Sequence, residues 1–169
     1  MKSSIFLTFC LVLPLAMMPA VAQITITEEQ WENTDFVRYS FIDSSTPPEW
    51  HRSYSIGITK DSIVVNVTSY GDVLLREVYP FTPERFDSVK NRLAEQKFSL
   101  CPPADVPLPP GGMSESVAFF KANESQAYFA GSVYAGIGTL RWEKGSISDA
   151  FVRVLPRSIH EIIAGTRKE

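Results

Sequence analysis

Few side chains in this sequence have the types and spacing that chemistry requires. There are two histidines and two cysteines in 169 residues. A zinc site needs three or four His, Cys or carboxylate ligands at compatible spacing. His51 and His160 are far apart, and no histidine lies near Cys101 to lower its thiol pKa. Asp43, Asp61 and Asp72 fall in turn-like segments, but not at the spacing of a calcium loop. Gly131, Gly136 and Gly138 lack the strand–loop–helix context of a phosphate cradle, and there is no G-x-S-x-G element. No metal and no cofactor is expected. Glu77, Glu84 and Glu115 are the carboxylates that folding could pair for acid–base work. They keep a small carboxylate-dependent hydrolase as an alternative function.

Two segments are better suited to binding than to catalysis. Trp50-His51-Arg52 follows Pro47-Pro48 and opens a strand, placing an aromatic beside two groups able to carry positive charge. The second is the run Pro102 to Gly112. There Pro107, Leu108 and Pro109 set one large apolar side chain in a stiff, extended backbone. The plain structural alternatives are a strand-end cluster for the first and a core plug for Leu108. Three tryptophans and six tyrosines provide amphipathic contact area, although core packing accounts for many such residues. His160 falls on the polar side of the last helix. Asn66-Val67-Thr68 and Asn123-Glu124-Ser125 match the glycosylation sequon; the first lies mid-strand and the second on a turn. None of these segments carries a family motif.

The N-terminus sets the compartment. Lys2, an apolar stretch from Ile5 to Met18 and the small residues Ala20-Val21-Ala22 compose a cleavable secretory signal over residues 1–22. The protein is expected to be exported, to a periplasmic or extracellular location. The remaining chain of 147 residues (169 less 22) is one domain's length. Loss of Lys2 takes the net charge from −3 to −4, which offers no electrostatic footprint for nucleic acid. No later segment is long enough for a membrane span. With Cys10 gone, Cys101 stands alone and no internal disulfide forms.

The elements that must position these residues follow from periodicity. Residues 23–35 read as a loose lead-in, with at most a short strand near Thr25-Ile26-Thr27. Val37, Tyr39 and Phe41 alternate with polar neighbours; Tyr54, Ile56 and Ile58, then Ile63, Val65 and Val67, repeat that pattern. A fourth strand runs from Val73 to Tyr79 after a turn at Ser69-Tyr70-Gly71-Asp72, in which Gly71 supplies positive φ. Thr82-Pro83-Glu84 then starts a helix with Phe86, Val89 and Leu93 on one face. Two or three strands follow, from Val117 to Trp142. A final helix begins at Ser148 and is broken at Pro156.

The expected fold is α+β over residues 36–169: a mainly antiparallel sheet with two amphipathic helices packed on one face, in the order ββββ-α-ββ(β)-α. The expected function is a non-enzymatic binding module that meets an envelope or extracellular protein through the proline segment and the Trp50-His51-Arg52 strand start. A structural envelope component held through a sheet edge is a further alternative. N-terminal sequencing of the exported protein is expected to read Gln23-Ile24-Thr25; a first cycle at Met1 would overturn the cleaved signal.

Overall fold

The computed structural model describes residues 24–44, 46–47, 49–102, 111–134 and 137–167. The predicted signal, along with Pro107, Leu108 and Pro109, lies outside the described residues. The strands are β1 (Ile24–Thr25), β2 (Thr34–Asp43), β3 (Ser53–Thr59), β4 (Ser62–Ser69), β5 (Asp72–Pro80), β6 (Ser99–Leu100), β7 (Met113–Lys121), β8 (Phe129–Tyr134), β9 (Ile137–Gly138) and β10 (Leu140–Arg141). The helices are α1 (Glu28–Glu32), α2 (Pro83–Glu95), α3 (Asp149–Val152) and α4 (Ile159–Ala164). The fold is α+β with two antiparallel sheets. A seven-stranded sheet runs β5-β4-β3-β2-β7-β8-β9, and a three-stranded sheet runs β1-β6-β10.

Strand pairing aligns the apolar residues in rows on one face of the large sheet. Tyr79, Ile63, Ile58, Val37, Phe119 and Phe129 form one row across six strands, fixed by successive cross-strand pairs. The next row carries Val65, Ile56, Tyr39 and Val117, all buried. A slip of one residue would turn every one of these side chains to the opposite face, so burial enforces the register. The opposite face carries a polar row, beside which Phe36 and Phe120 pair with ring centroids 4.9 Å apart. Ser40, Ser55, Asn66, Ser116 and Ser132 lie in one cross-strand row there. Alternation of this kind is what a sheet covered on one side requires.

The cover comes from several short pieces. Thr82 caps α2 by accepting from the Arg85 N–H, with Pro83 in the first turn, and the helix buries Phe86, Val89 and Leu93. The last helical segment is broken, as Pro156 dictates, into α3 and α4; it buries Ala150 and Phe151, then Ile159 and Ile162. Ser158 and Glu161 close a reciprocal capping box on α4.

The lead-in is not loose. Thr27 and Gln30 form a capping box that starts α1, and Trp31 packs on Phe119 with ring centroids 4.9 Å apart. Thr34 continues this anchor: its hydroxyl donates to the Gln30 carbonyl at 2.8 Å and meets the Tyr128 hydroxyl at 2.7 Å. Phe119 also touches Phe98 and Phe129, so it joins the lead-in, the exit of α2 and β8. The small sheet was not expected either. Its strands are two residues long, too short to show a period.

Gly131 is where the two sheets meet. A Cβ there would lie 2.6 Å from Leu100 Cδ2 and 3.0 Å from Leu140 Cδ1. Only a glycine lets β6 and β10 sit this close to β8. Gly131→Ala is expected to overpack this contact and cost about 1–3 kcal/mol in urea unfolding, with partial rescue by Leu100→Val. An unchanged midpoint for Gly131→Ala would show that the small sheet does not seat there.

Candidate functional site

One end of the large sheet gathers the features that a contact surface needs. There β2 ends, β3 begins, β4 turns into β5, and β7 begins opposite Asp43. Eight large apolar side chains are exposed among the described residues, and six of them belong to this end: Ile42, Trp50, Tyr70, Val73, Leu74 and Met113. The start of β5 explains two of these. Pairing with β4 shifts between Val67 and Thr68, whose partners are Leu75 and Val73, so Leu74 is the extra residue of a bulge. The bulge leaves Val73 66% exposed on an edge strand.

Tyr70 is held in a conformation that a bulky residue rarely adopts. It has φ 48°, and Gly71 has φ 98°, so both central residues of this two-residue turn have positive φ. The neighbours compensate. The Tyr70 N–H donates to His51 Nδ1 at 3.3 Å, the two rings lie 4.2 Å apart, and the Tyr70 hydroxyl donates to the Thr46 carbonyl at 2.7 Å. The Tyr70 side chain nevertheless stays 61% exposed.

The segment Trp50-His51-Arg52 therefore divides into three roles. The strand opens at Ser53 rather than at His51. His51 turns inward and is buried. Arg52 is committed to the C-terminal segment: its Nε donates to Thr166 Oγ1 at 2.8 Å, and its guanidinium also reaches the Thr166 and His51 carbonyls. Only Trp50 faces out, with the Arg167 guanidinium over its ring at 5.5 Å. Trp50, Arg52, Asp72, Leu74 and Arg167 line a shallow depression of about 600 Å³. A second depression, of about 340 Å³, runs past Ile42, His51, Ser53, Thr68 and Tyr70.

The exit of the proline segment reaches the same end. The Gly112 carbonyl accepts from the Ser44 N–H at 2.9 Å, and the Tyr134 hydroxyl donates to the Gly111 carbonyl. The sequence thus marked two separate stretches, and the Gly111-Gly112 exit of the second reaches the same end of the sheet as the first. It missed Ile42, Val73, Leu74 and Met113, and held Tyr70 only among the aromatics suited to contact. The apolar run Val73-Leu74-Leu75, which breaks the alternation just after the turn, was the available signal.

His51 and Ser53 resemble a nucleophile and base only in proximity. Ser53 Oγ lies 3.3 Å from His51 Nε2. Because Nδ1 accepts from the Tyr70 N–H, the ring proton sits on Nε2 and points at the serine. A general base needs the reverse, with Nδ1 protonated and Nε2 free to take the serine proton. The contact braces the turn.

The three carboxylates do not converge on one site. Glu77 and Glu115 share the inner face but lie four strand spacings apart, roughly 19 Å at about 4.8 Å each. Acid–base pairs of glycosidases work within about 5–9.5 Å. Each carboxylate already has partners. Glu77 binds Arg157 and the Tyr79 hydroxyl, and Glu115 Oε1 accepts from the Tyr39 hydroxyl at 2.6 Å. Glu84 sits in the exposed first turn of α2. Among the described residues no three His, Cys, Asp or Glu side chains gather to hold a metal ion, and no helix is long and apolar enough to cross a membrane. Cys101 is half-buried, with Sγ 3.4 Å from the Thr139 carbonyl oxygen. No family model, curated protein or solved structure matches this chain.

The Tyr39–Glu115 bond anchors β7 to β2 beneath this end. Burial, then the Glu115 hydrogen bond, holds the Tyr39 phenol far above its ordinary range. Burial also raises Tyr54; its hydrogen bond with Tyr39 opposes that rise and the Glu115 charge adds to it. A phenol with a raised pKa keeps its proton in the folded state while the unfolded chain loses it. Its stabilisation is complete below the ordinary tyrosine pKa and falls as pH rises above about 10. Tyr39→Phe is expected to cost about 1 kcal/mol at neutral pH and to flatten that alkaline loss. Urea unfolding at about pH 8 and about pH 10.5 measures both. Equal alkaline losses in the variant and the parent would remove Tyr39 as the titrating group.

Proposed function

We propose that this chain is an exported, non-enzymatic binding module whose contact surface is the apolar end of the sheet. The observation that carries the reading is the convergence there of Ile42, Trp50, Tyr70, Val73, Leu74 and Met113, six of the eight exposed large apolar residues. Scattered exposed apolar residues need no explanation, whereas a concentration of them marks an interaction site. The residue types agree, since aromatic residues and methionine are enriched at protein interfaces. Tyr70 adds a second argument. Backbone strain that the surroundings must maintain is characteristic of functional positions, and here it holds an aromatic ring toward solvent.

The partner is an envelope or extracellular protein, in keeping with export. It seats on Trp50 and Tyr70 as anchors and extends along the start of β5. Gly111 and Gly112, where the proline segment ends, are tied to Tyr134 and Ser44 at this same end.

The test is capture of partners from the envelope and secreted fractions of the producing cell, by the parent protein and by a Trp50→Ser/Leu74→Ser variant. Both side chains are exposed, so the variant is expected to keep the parent's melting temperature. The expected outcome is one specific protein bound by the parent and at least about 100-fold less by the variant, since a pair of interface anchors carries about 3 kcal/mol or more. Undiminished capture by the variant, or no specific partner for the parent, would overturn the reading.

A further inference from the structure

Val78 is 59% exposed and lies outside the apolar end, further along the strand that Val73 and Leu74 begin. That strand, β5, is one edge of the large sheet and has nine residues, whereas β9 at the other edge has two.

The phase of the ladder shows which backbone groups of β5 are free. The Phe81 N–H donates to the Asp61 carbonyl at 2.8 Å, and pairing with β4 continues in step through Tyr79–Ile63, Glu77–Val65 and Leu75–Val67. Bonded and non-bonded pairs alternate in an antiparallel ladder. Tyr79, Glu77 and Leu75 therefore turn their N–H and C=O groups to β4, while Arg76 and Val78 turn theirs to the open edge. Among the described residues no donor or acceptor meets them. Pro80 falls in the same outward phase, where the ladder does not need its missing N–H. The bulge at Leu74 and Pro80 thus bound a stretch, Leu75 to Tyr79, that is open for pairing.

Arg76 and Val78 are the exposed side chains of this stretch, both on the polar face opposite Asn66 and Val64. Arg76 has no ion pair among the described residues. A second copy of the chain fits poorly here. Opposed residues of an antiparallel pair share a face, so outward residues must meet outward residues. A pair centred on Arg76 sets two guanidinium groups together, and one centred on Glu77 opposes two carboxylates. A pair centred on Val78 sets Arg76 against Pro80, which lacks the N–H for a bond at each end.

We propose that β5 takes up an extended segment of the partner protein as an added antiparallel strand, with an acidic residue opposite Arg76 and an apolar one opposite Val78. Main-chain bonds to Arg76 and Val78 supply the affinity, and the two side chains supply the register. This mode of binding rests on the reading of the apolar end as the contact surface, which β5 continues.

The probe is a capped peptide, threonine-valine-threonine-glutamate-threonine-isoleucine-threonine, titrated into the purified protein while the Arg76 and Val78 amide signals are followed. It is expected to shift both signals saturably, with a Kd of about 1 mM. The same peptide with lysine in place of glutamate is expected to bind at least about fivefold more weakly, and Arg76→Glu to reverse that preference. Arg76 is exposed, so the variant is expected to keep the melting temperature. No saturable shift at either amide, or no reversal in Arg76→Glu, would overturn strand addition. Sedimentation as a dimer that Val78→Pro makes monomeric would overturn it in favour of a second copy. Failure of the peptide beside partner capture that still depends on Trp50 and Leu74 would remove the added strand and leave the contact surface. Peptide binding by a protein that captures no partner would keep the edge and remove the wider reading.

Discussion

The fold depends on covering one face of a wide sheet with little helix. Seven strands at about 4.8 Å span roughly 29 Å, while a helix with its side chains is about 10–12 Å across. The helix α2 and the broken pair α3–α4 supply two helix widths, which leaves part of the inner face open. The small sheet closes that remainder. Leu100 and Leu140 press on Gly131, and Trp31 from the lead-in covers Phe119. Each short element is thus a consequence of the sheet's width. None would be stable alone, because strands of two residues and helices of four to six gain their order from what they bury.

The same constraint decides where polar groups can sit on the inner face. The middle rows are apolar. Glu77 and Glu115, the acidic residues of these rows, stand on strands toward either side of the sheet. Each is answered at once, by Arg157 and Tyr79 in one case and by Tyr39 in the other. A charge on a half-buried face is tolerated when it is paired and hydrogen-bonded. These carboxylates therefore hold elements together: Glu115 joins β7 to β2, and Glu77 joins β5 to the link before α4.

Residues that obey a period were legible in the sequence. The inner rows of β2, β3 and β4 and the buried stripe of α2 follow from alternation and helical spacing. The cap at Thr82 and the break at Pro156 follow from local chemistry. What was not legible depends on distant contacts. Nothing near Gly131 announces that two leucines from other segments will occupy its missing Cβ. Nothing near His51 says that its ring will turn inward to receive a backbone N–H from Tyr70. The candidate surface was half legible. Trp50 was named and Tyr70 counted among the aromatics suited to contact, but positive φ was assigned to Gly71 alone, and the bulge that turns Leu74 outward appears only once β5 is paired with β4.

Tyr70 is the position where the local rules and the fold disagree most. A two-residue turn with positive φ at both centres prefers asparagine, aspartate or glycine, and any of these would serve the hairpin at lower cost. The structure instead keeps a tyrosine and surrounds it with compensations: the buried His51 ring, the Thr46 carbonyl, and Ser53 bracing the histidine. None of these contacts belongs to the main core. If the turn served the hairpin alone, the apparatus would have no use. Its product is an aromatic ring fixed in the open beside Trp50 and Leu74, at the end of the sheet where burial does not dictate residue type. Sequences that break a local rule and then support the breakage do so where something other than folding is being served.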